Sequence, residues 1–95
     1  INEPLTEHSE MQGMTMEVLP INGIINPTGI EIKDNRLFIS DYENGDIIAW
    51  DIDKQQTLGR ISTGHKGIAG IKIDPEGKLW YVNTLRNELV QVLPK

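Results

Sequence analysis

The sequence predicts an all-β chain built from two copies of a four-stranded antiparallel unit. Short apolar runs alternate with turn residues such as Asn44-Gly45, which is a strong hairpin signal. No stretch shows convincing helical periodicity. The pattern that begins at Gly29 returns at Gly70, an offset of 41 residues. These three observations together favour a repeated β architecture.

The composition excludes several classes of function. The chain has 95 residues, enough for one small domain with a limited core. It has no cysteine, which excludes disulfides and thiolate metal sites. Its net charge of −5 argues against nucleic acid and against an anionic membrane surface as partners. No apolar run approaches the roughly 20 residues of a membrane span. Because the first residue is Ile1 rather than Met, we expect a processed product or a piece of a longer protein.

The elements follow in order along the chain. Residues 1–15 are polar and acidic, and we expect a flexible leader there. A short strand is predicted from Met16 to Ile21, followed by a loop of Gly, Asn and Pro. From Gly29 onward, residues alternate with a period of two, and turn residues separate successive strands. The first complete unit then has strands beginning at Gly29 and covering Leu37–Ser40, Ile47–Ile52 and Leu58–Ser62.

The second unit repeats the first position by position. After the turn "DPEG", which is one residue longer than "KDN", the offset becomes 42 residues. Size and polarity are kept at most matched positions. The matches pair Gly29, Ile30, Ile32, Leu37, Phe38, Ile39, Asp41, Ile47 and Ile48 with Gly70, Ile71, Ile73, Leu79, Trp80, Tyr81, Asn83, Leu89 and Val90.

A period of about 40 to 45 residues with four strands per unit is typical of a β-propeller blade. The middle strands are apolar on both faces, as expected when each sheet lies between two others. We therefore predict two four-stranded antiparallel β-propeller blades over residues 16–95. If the strands of a blade are named a to d outward from the axis, the order is d, then a-b-c-d, then a-b-c.

The stretch "NPTGIEI…LFISDYENGDIIAWD" resembles the NHL-type propeller repeat and the related six-bladed gluconolactonase-like propellers. The resemblance implies one blade of a ring that is completed by other copies or by missing chain. Gluconolactonase-like propellers hold a divalent metal at the axis, commonly through an Asn that follows the loop Pro. Thr28 and Ala69 stand at those positions here, so we predict no cofactor for this chain, and a divalent metal only in a parent propeller. The residues that fit the repeat are Pro27, Gly29, Ile30, Asp41, Asn44 and Ile47.

The loops that would share one propeller face supply the candidate binding site. Asp41 and Asn83 end their strands and could bind a ligand, or they could cap their own turns. His65 could be a pocket base or an exposed loop residue, and Lys66 and Arg86 could hold an anion or remain solvated. The ligand-binding candidates are Asn26, Thr28, Asp41, Tyr42, His65, Lys66, Asn83 and Arg86.

Two further side-chain groups carry alternatives. The leader places His8, Met11, Met14 and Met16 close together, and imidazole with thioether suits copper(I), although the simpler interpretation is incidental Met in a flexible segment. Three aromatic residues could stack on sugars, but their positions within strands favour core between blades. These are Trp50, Trp80 and Tyr81. Ser40, Asp41 and His65 make no credible catalytic triad, because no nucleophile turn surrounds Ser40.

Two blades cannot close a ring and would leave two apolar faces exposed, so we expect association. Three copies could form a six-bladed ring, other chains could supply the missing blades, or the chain could be a segment of a longer propeller. The predicted function is a binding or scaffold module, probing a protein or small ligand with its loop face and not catalytic by itself. The alternatives are a segment of a metal-dependent lactonase, hydrolase or lyase, and a periplasmic redox or copper-handling protein. An extracellular or periplasmic location is slightly favoured.

Overall fold

The computed structural model describes residues 13–93, and all of their regular structure is β-strand. No helix occurs in this range, so none could cross a membrane there. The all-β prediction is confirmed. The first sheet has four strands in the order β1 (Pro27–Lys33), β2 (Arg36–Asp41), β3 (Asp46–Asp51) and β4 (Gln56–Ser62). The second sheet has three, β5 (Ile68–Ile73), β6 (Leu79–Asn83) and β7 (Glu88–Val92).

Antiparallel hairpins connect the strands of each sheet, and local turn chemistry explains them. The β2–β3 turn is closed by the amide of Gly45, which donates to the carbonyl of Asp41 at 3.0 Å. Gly45 has a φ of 71°, and a Cβ there would collide with the carbonyl of His65. Only glycine meets both demands, which is why the Asn44-Gly45 pair marks this hairpin.

The register defines two faces on each sheet, because directly opposed residues share a face. In the first sheet, Ile30 lies opposite Ile39 and Ile39 opposite Ile48, on what we call the outer face. Glu31 and Phe38 lie opposite each other on its inner face, which is turned toward the second sheet. The second sheet likewise has an inner face with Ile71, Ile73, Leu79 and Tyr81, and an outer face with Lys72, Trp80, Val82 and Leu89.

The two sheets stack through their first strands, with β5 lying against β1 and β2. A Cβ on Gly29 would lie 3.4 Å from the Cα of Gly70, so the two backbones pass closely. Thr28 Oγ1 donates to the carbonyl of Ile68 at 2.7 Å, and the amide of Ile73 donates to Glu31 Oε1 at 3.1 Å. Side chains of β1 thus satisfy backbone groups of β5, which joins the sheets.

The middle strands of the first sheet are buried on both faces. Ile47 and Ile48 are neighbours that point to opposite faces, and both are 0% exposed. Trp50 is buried beside Leu37 and Ile39, which confirms the prediction that it is a core residue. Trp80 and Tyr81 are only half-buried in the second sheet. Burial is therefore deepest where sheet or chain covers both sides.

The strand predicted from Met16 to Ile21 is wrong, because this segment runs as irregular chain. Its apolar residues instead cover the core on the outer face of the first sheet, where Leu19, Ile21 and Ile24 pack. Gly23 and Gly64 have φ values of 81° and 82°, so the segment before Gly23 is the counterpart of β4. A strand needs a hydrogen-bonding edge, and the free edge of β7 lies at the far side of the stack.

Candidate functional site

The connecting loops of both sheets come together at one end, and Asp41 organises those of the first sheet. Its side chain is fully buried. Oδ2 accepts from the amide of Ile25 at 2.8 Å, and Oδ1 from the amides of Asn26 and Glu43 at 3.1 Å each. The backbone amide of Asn44 donates to Oδ1 at 3.3 Å and its Nδ2 to Oδ2 at 3.0 Å. One carboxylate thus fixes two loops at once.

These contacts determine the ionisation of Asp41. Burial by itself raises the pKa of the carboxyl, but the backbone amides of Ile25, Asn26, Asn44 and Glu43 outweigh it. The pKa of Asp41 is held below its ordinary value of 3.8 as a result. The group remains an anion with its oxygen atoms occupied, which suits a structural clamp rather than an acid or base.

Asn83 occupies the equivalent position in the second sheet and is also buried. Its Oδ1 accepts from the amides of Leu85 and Arg86 at 3.0 Å each. Its Nδ2 donates to the carbonyl of Lys66 at 3.1 Å. The preceding loop offers a carbonyl here and amides in the first sheet, so an amide side chain replaces the carboxylate. Turn capping therefore accounts for both residues.

Backbone hydrogen bonds tie the loops of the two sheets into one series. The amide of Tyr42 donates to the carbonyl of Asn26, and the carbonyl of Tyr42 accepts from the amide of Gly67, both at 2.9 Å. The carbonyl of Gly67 accepts in turn from the amide of Thr84 at 2.9 Å. We call the surface formed by residues 23–28, 41–46, 63–68 and 83–88 the loop cluster.

The remaining predicted ligand residues are divided between structural contacts and solvent. The hydroxyl of Thr28 bonds the carbonyl of Ile68 and lies 3.1 Å from Ser40 Oγ, so it holds the sheets together. Lys66 pairs with Glu43 at 3.1 Å. Arg86 pairs with Glu88, also at 3.1 Å. Asn26 and His65 are exposed on the loop cluster and Tyr42 is half-buried there.

The predicted copper(I) group falls only partly within the described residues. His8 and Met11 lie outside them, whereas Met14 and Met16 are exposed. In the range 13–93, no three His, Cys, Asp or Glu side chains are grouped so that they could hold a metal ion. The copper site therefore stays a prediction.

Two cavities lie along the inner face of the first sheet, away from the loop cluster. One of about 130 Å³ lies between the sheets at the opposite end and is lined by Lys33, Phe38 and Ile73 among others. The other, of about 300 Å³, lies over β2 to β4. None of the predicted ligand residues lines either of them. The larger one exists because Ala49 lies opposite Gly59, a pairing of small residues that the sequence analysis did not use.

The described residues define a class of architecture: two stacked antiparallel sheets whose connecting loops are ordered at one end. No family model matches the chain, and no curated protein matches it. The geometry of the loop cluster and of the sheet faces therefore carries the functional conclusion.

Proposed function

We propose that this chain forms two blades of a β-propeller and acts as a binding or scaffold module, presenting the loop cluster to a protein or a small ligand. The observation that carries this proposal is the pair of clamps made by Asp41 and Asn83. Both act at the same end of their sheets and order the loops in advance of binding. A preordered surface loses less conformational entropy on binding, which favours recognition.

The propeller assignment is supported by the repeat of irregular features as well as regular ones. The first strand of each sheet has a register shift, between Pro27 and Gly29 in β1 and between Ile68 and Gly70 in β5. These irregularities are 41 residues apart, as are the strands that contain them. The sheets contact each other mainly through β1, β2 and β5, and they diverge beyond that. Radially arranged sheets have this shape, and the resemblance to NHL-type repeats points the same way.

The engagement of the charged groups supports a role in binding rather than in catalysis. The carboxylate of Asp41 is occupied by hydrogen bonds, and Lys66 and Arg86 are paired with acidic neighbours. General acid–base catalysis needs a group that can exchange a proton with a substrate. Among these predicted site residues, His65 is the exposed one that titrates near neutral pH.

Amide chemical shifts of the isotope-labelled chain test this function. The probes are a panel of small carboxylates, phosphates and sugars, added one at a time. We expect shifts at Asn26, Tyr42 and His65 for the ligands that bind, and weaker binding in His65→Ala. Asp53→Ala is the matched control, because Asp53 is an exposed loop residue at the opposite end of the first sheet.

Two results would contradict the proposal. Shifts confined to the turns around Asn35 and Gly77, at the end opposite the loop cluster, would place the binding site elsewhere. Chemical conversion of a probe that disappears in His65→Ala would make the chain an enzyme, as in the alternative prediction of a propeller hydrolase or lyase. The same spectra detect both results.

A further inference from the structure

We infer that a second copy of this chain docks head to tail, with the outer face of its second sheet against the outer face of the first sheet. This inference rests on the proposed propeller function and names the partner of its two open sides. The contact would repeat, between copies, the contact that the two sheets already make within one chain.

The contact within the chain is the template. The inner face of the first sheet meets the inner face of the second, with Gly29 passing close to Gly70. Apolar side chains flank this close approach, including Phe38 on one side and Ile73 on the other, which line a common cavity. The interface is not symmetrical, because different faces of the repeat meet.

The repeat places the two halves of this template on the outside of the molecule as well. Ile30 and Ile32 on the outer face of the first sheet are the counterparts of Ile71 and Ile73 in the interface. Yet they are 65% and 57% exposed, whereas Ile71 and Ile73 are half-buried. The outer face of the first sheet therefore has the pattern of a surface that is covered elsewhere in the same chain.

The opposite side of the molecule shows the same contrast. Leu89 on the outer face of the second sheet is the counterpart of Ile47, and it is 69% exposed while Ile47 is 0% exposed. Val82, which is directly opposite Leu89 in the sheet, is 42% exposed. The two outer faces thus correspond to the two sides of one interface, and a second copy brings both together.

The leading segment fits this arrangement. The second sheet lacks a fourth strand, and the edge of β7 carries no strand. Leu19 and Ile21, in the counterpart of β4, already lie on the outer face where a docked copy would bring its β7. The segment can therefore supply the missing strand to the partner, although Pro20 has no amide hydrogen and removes one possible bond.

One residue makes the contact between copies weaker than the contact within the chain. Glu31 accepts a hydrogen bond from the amide of Ile73 across the internal interface. Its counterpart on the outer face is Lys72, and an ammonium group cannot accept a hydrogen bond. We therefore expect association to depend on protein concentration.

Sedimentation velocity on the full chain over a range of concentrations tests the inference. Ile30→Asp and Val82→Asp each place a carboxylate on one outer face, and each should raise the dissociation constant by about tenfold or more, because an unpaired charge would be buried. A mixture of the two variants should form a 1:1 heterodimer, since each retains the face that the other lacks. Leu58→Asp, at an exposed site on β4, is the matched control and should associate as the unmodified chain does.

The chain has no cysteine, so a crosslink provides a second readout with conservative variants. With a short bismaleimide, Ile30→Cys mixed with Val82→Cys should give dimers, and each variant alone should give far fewer. A dimer from one cysteine variant alone would overturn the head-to-tail geometry. A monomer at all concentrations with an intact loop-cluster binding signal would overturn the docking and leave the proposed function standing. Head-to-tail docking without ligand-induced shifts would do the reverse.

Discussion

The two sheets share a register and a loop design, but they differ in what covers them. The first sheet is covered on its inner face by the second sheet and on its outer face by the segment containing Leu19 and Ile21. The second sheet is covered only on its inner face. Consequently Ile47 is completely buried, whereas its counterpart Leu89 is largely exposed. The same pattern of residues therefore becomes core or surface according to its neighbours.

The largest effect should separate Trp50 from Trp80. Trp50→Ala should lower the free energy of unfolding by about 3–5 kcal/mol, because a fully buried indole leaves a cavity. Trp80→Ala should cost about half as much, since the residue is half-buried and its Nε1 donates to Asp74 at 3.0 Å. Urea unfolding of both variants gives the values. Equal losses would break the comparison of the two sheets.

The next effect should separate the two clamps. Asp41→Ala leaves several buried amide donors without an acceptor and should cost about 3 kcal/mol. Asn83→Ala removes fewer bonds and should cost about 1–2 kcal/mol. Thermal and urea unfolding measure both, with the exposed Asn87→Gly change as a control, because residue 87 already has a φ of 54°. A larger loss for Asn83→Ala would reverse our ranking of the loops.

The acid dependence sharpens the same contrast. Because the pKa of Asp41 is lower in the folded chain than its ordinary value of 3.8, its stabilisation is complete above that value and is lost as the pH falls further. Asp41→Asn should be less stable at neutral pH but should show a shallower loss of stability below pH 3.8. The carboxyl groups of Asp51 and Asp74 also have lowered pKa values, but they are present in both proteins.

The reciprocal change provides the control for this pH effect. Asn83→Asp places a carboxylate oxygen against the carbonyl of Lys66, where the native side chain donates a hydrogen bond. Repulsion should destabilise this variant at neutral pH, and protonation should restore a donor as the pH falls. The stability difference from the unmodified chain should therefore shrink on acidification. Urea midpoints measured between pH 7 and pH 3 would contradict us if both variants changed in the same direction.

The smallest effect should separate Glu31 from Lys72. Glu31→Ala removes the acceptor for the amide of Ile73 and should cost about 1 kcal/mol. Lys72→Ala, at the counterpart position on the outer face, should change the stability by less than about 0.5 kcal/mol. Urea unfolding at a concentration where the chain is monomeric distinguishes them. Equal values would mean that the Glu31 bond does not help to join the sheets.

Local patterns explain why the strands of both sheets were predictable from the sequence. Alternation with a period of two and the Asn44-Gly45 turn act over a few residues, so no distant partner is needed to recognise them. The segment from Met16 to Ile21 could not be assigned in this way, because strand formation depends on an available edge. The bond from Ile73 to Glu31 was also missed, since it joins residues 42 positions apart. For Asp41 and Asn83, turn chemistry correctly indicated capping, but not which loop each residue would hold.

The coverage of Leu37, Ile39 and Trp50 by the chain's own leading segment also has a consequence for the order of unfolding. The first sheet together with this segment has a closed apolar cluster of its own, whereas the second sheet relies on the first for its single covered face. Partial opening should therefore begin with β5 to β7 and leave the first sheet intact as a cooperative unit. A protease acting on the native protein would then cut between residues 63 and 93 long before it reached the strands that precede them.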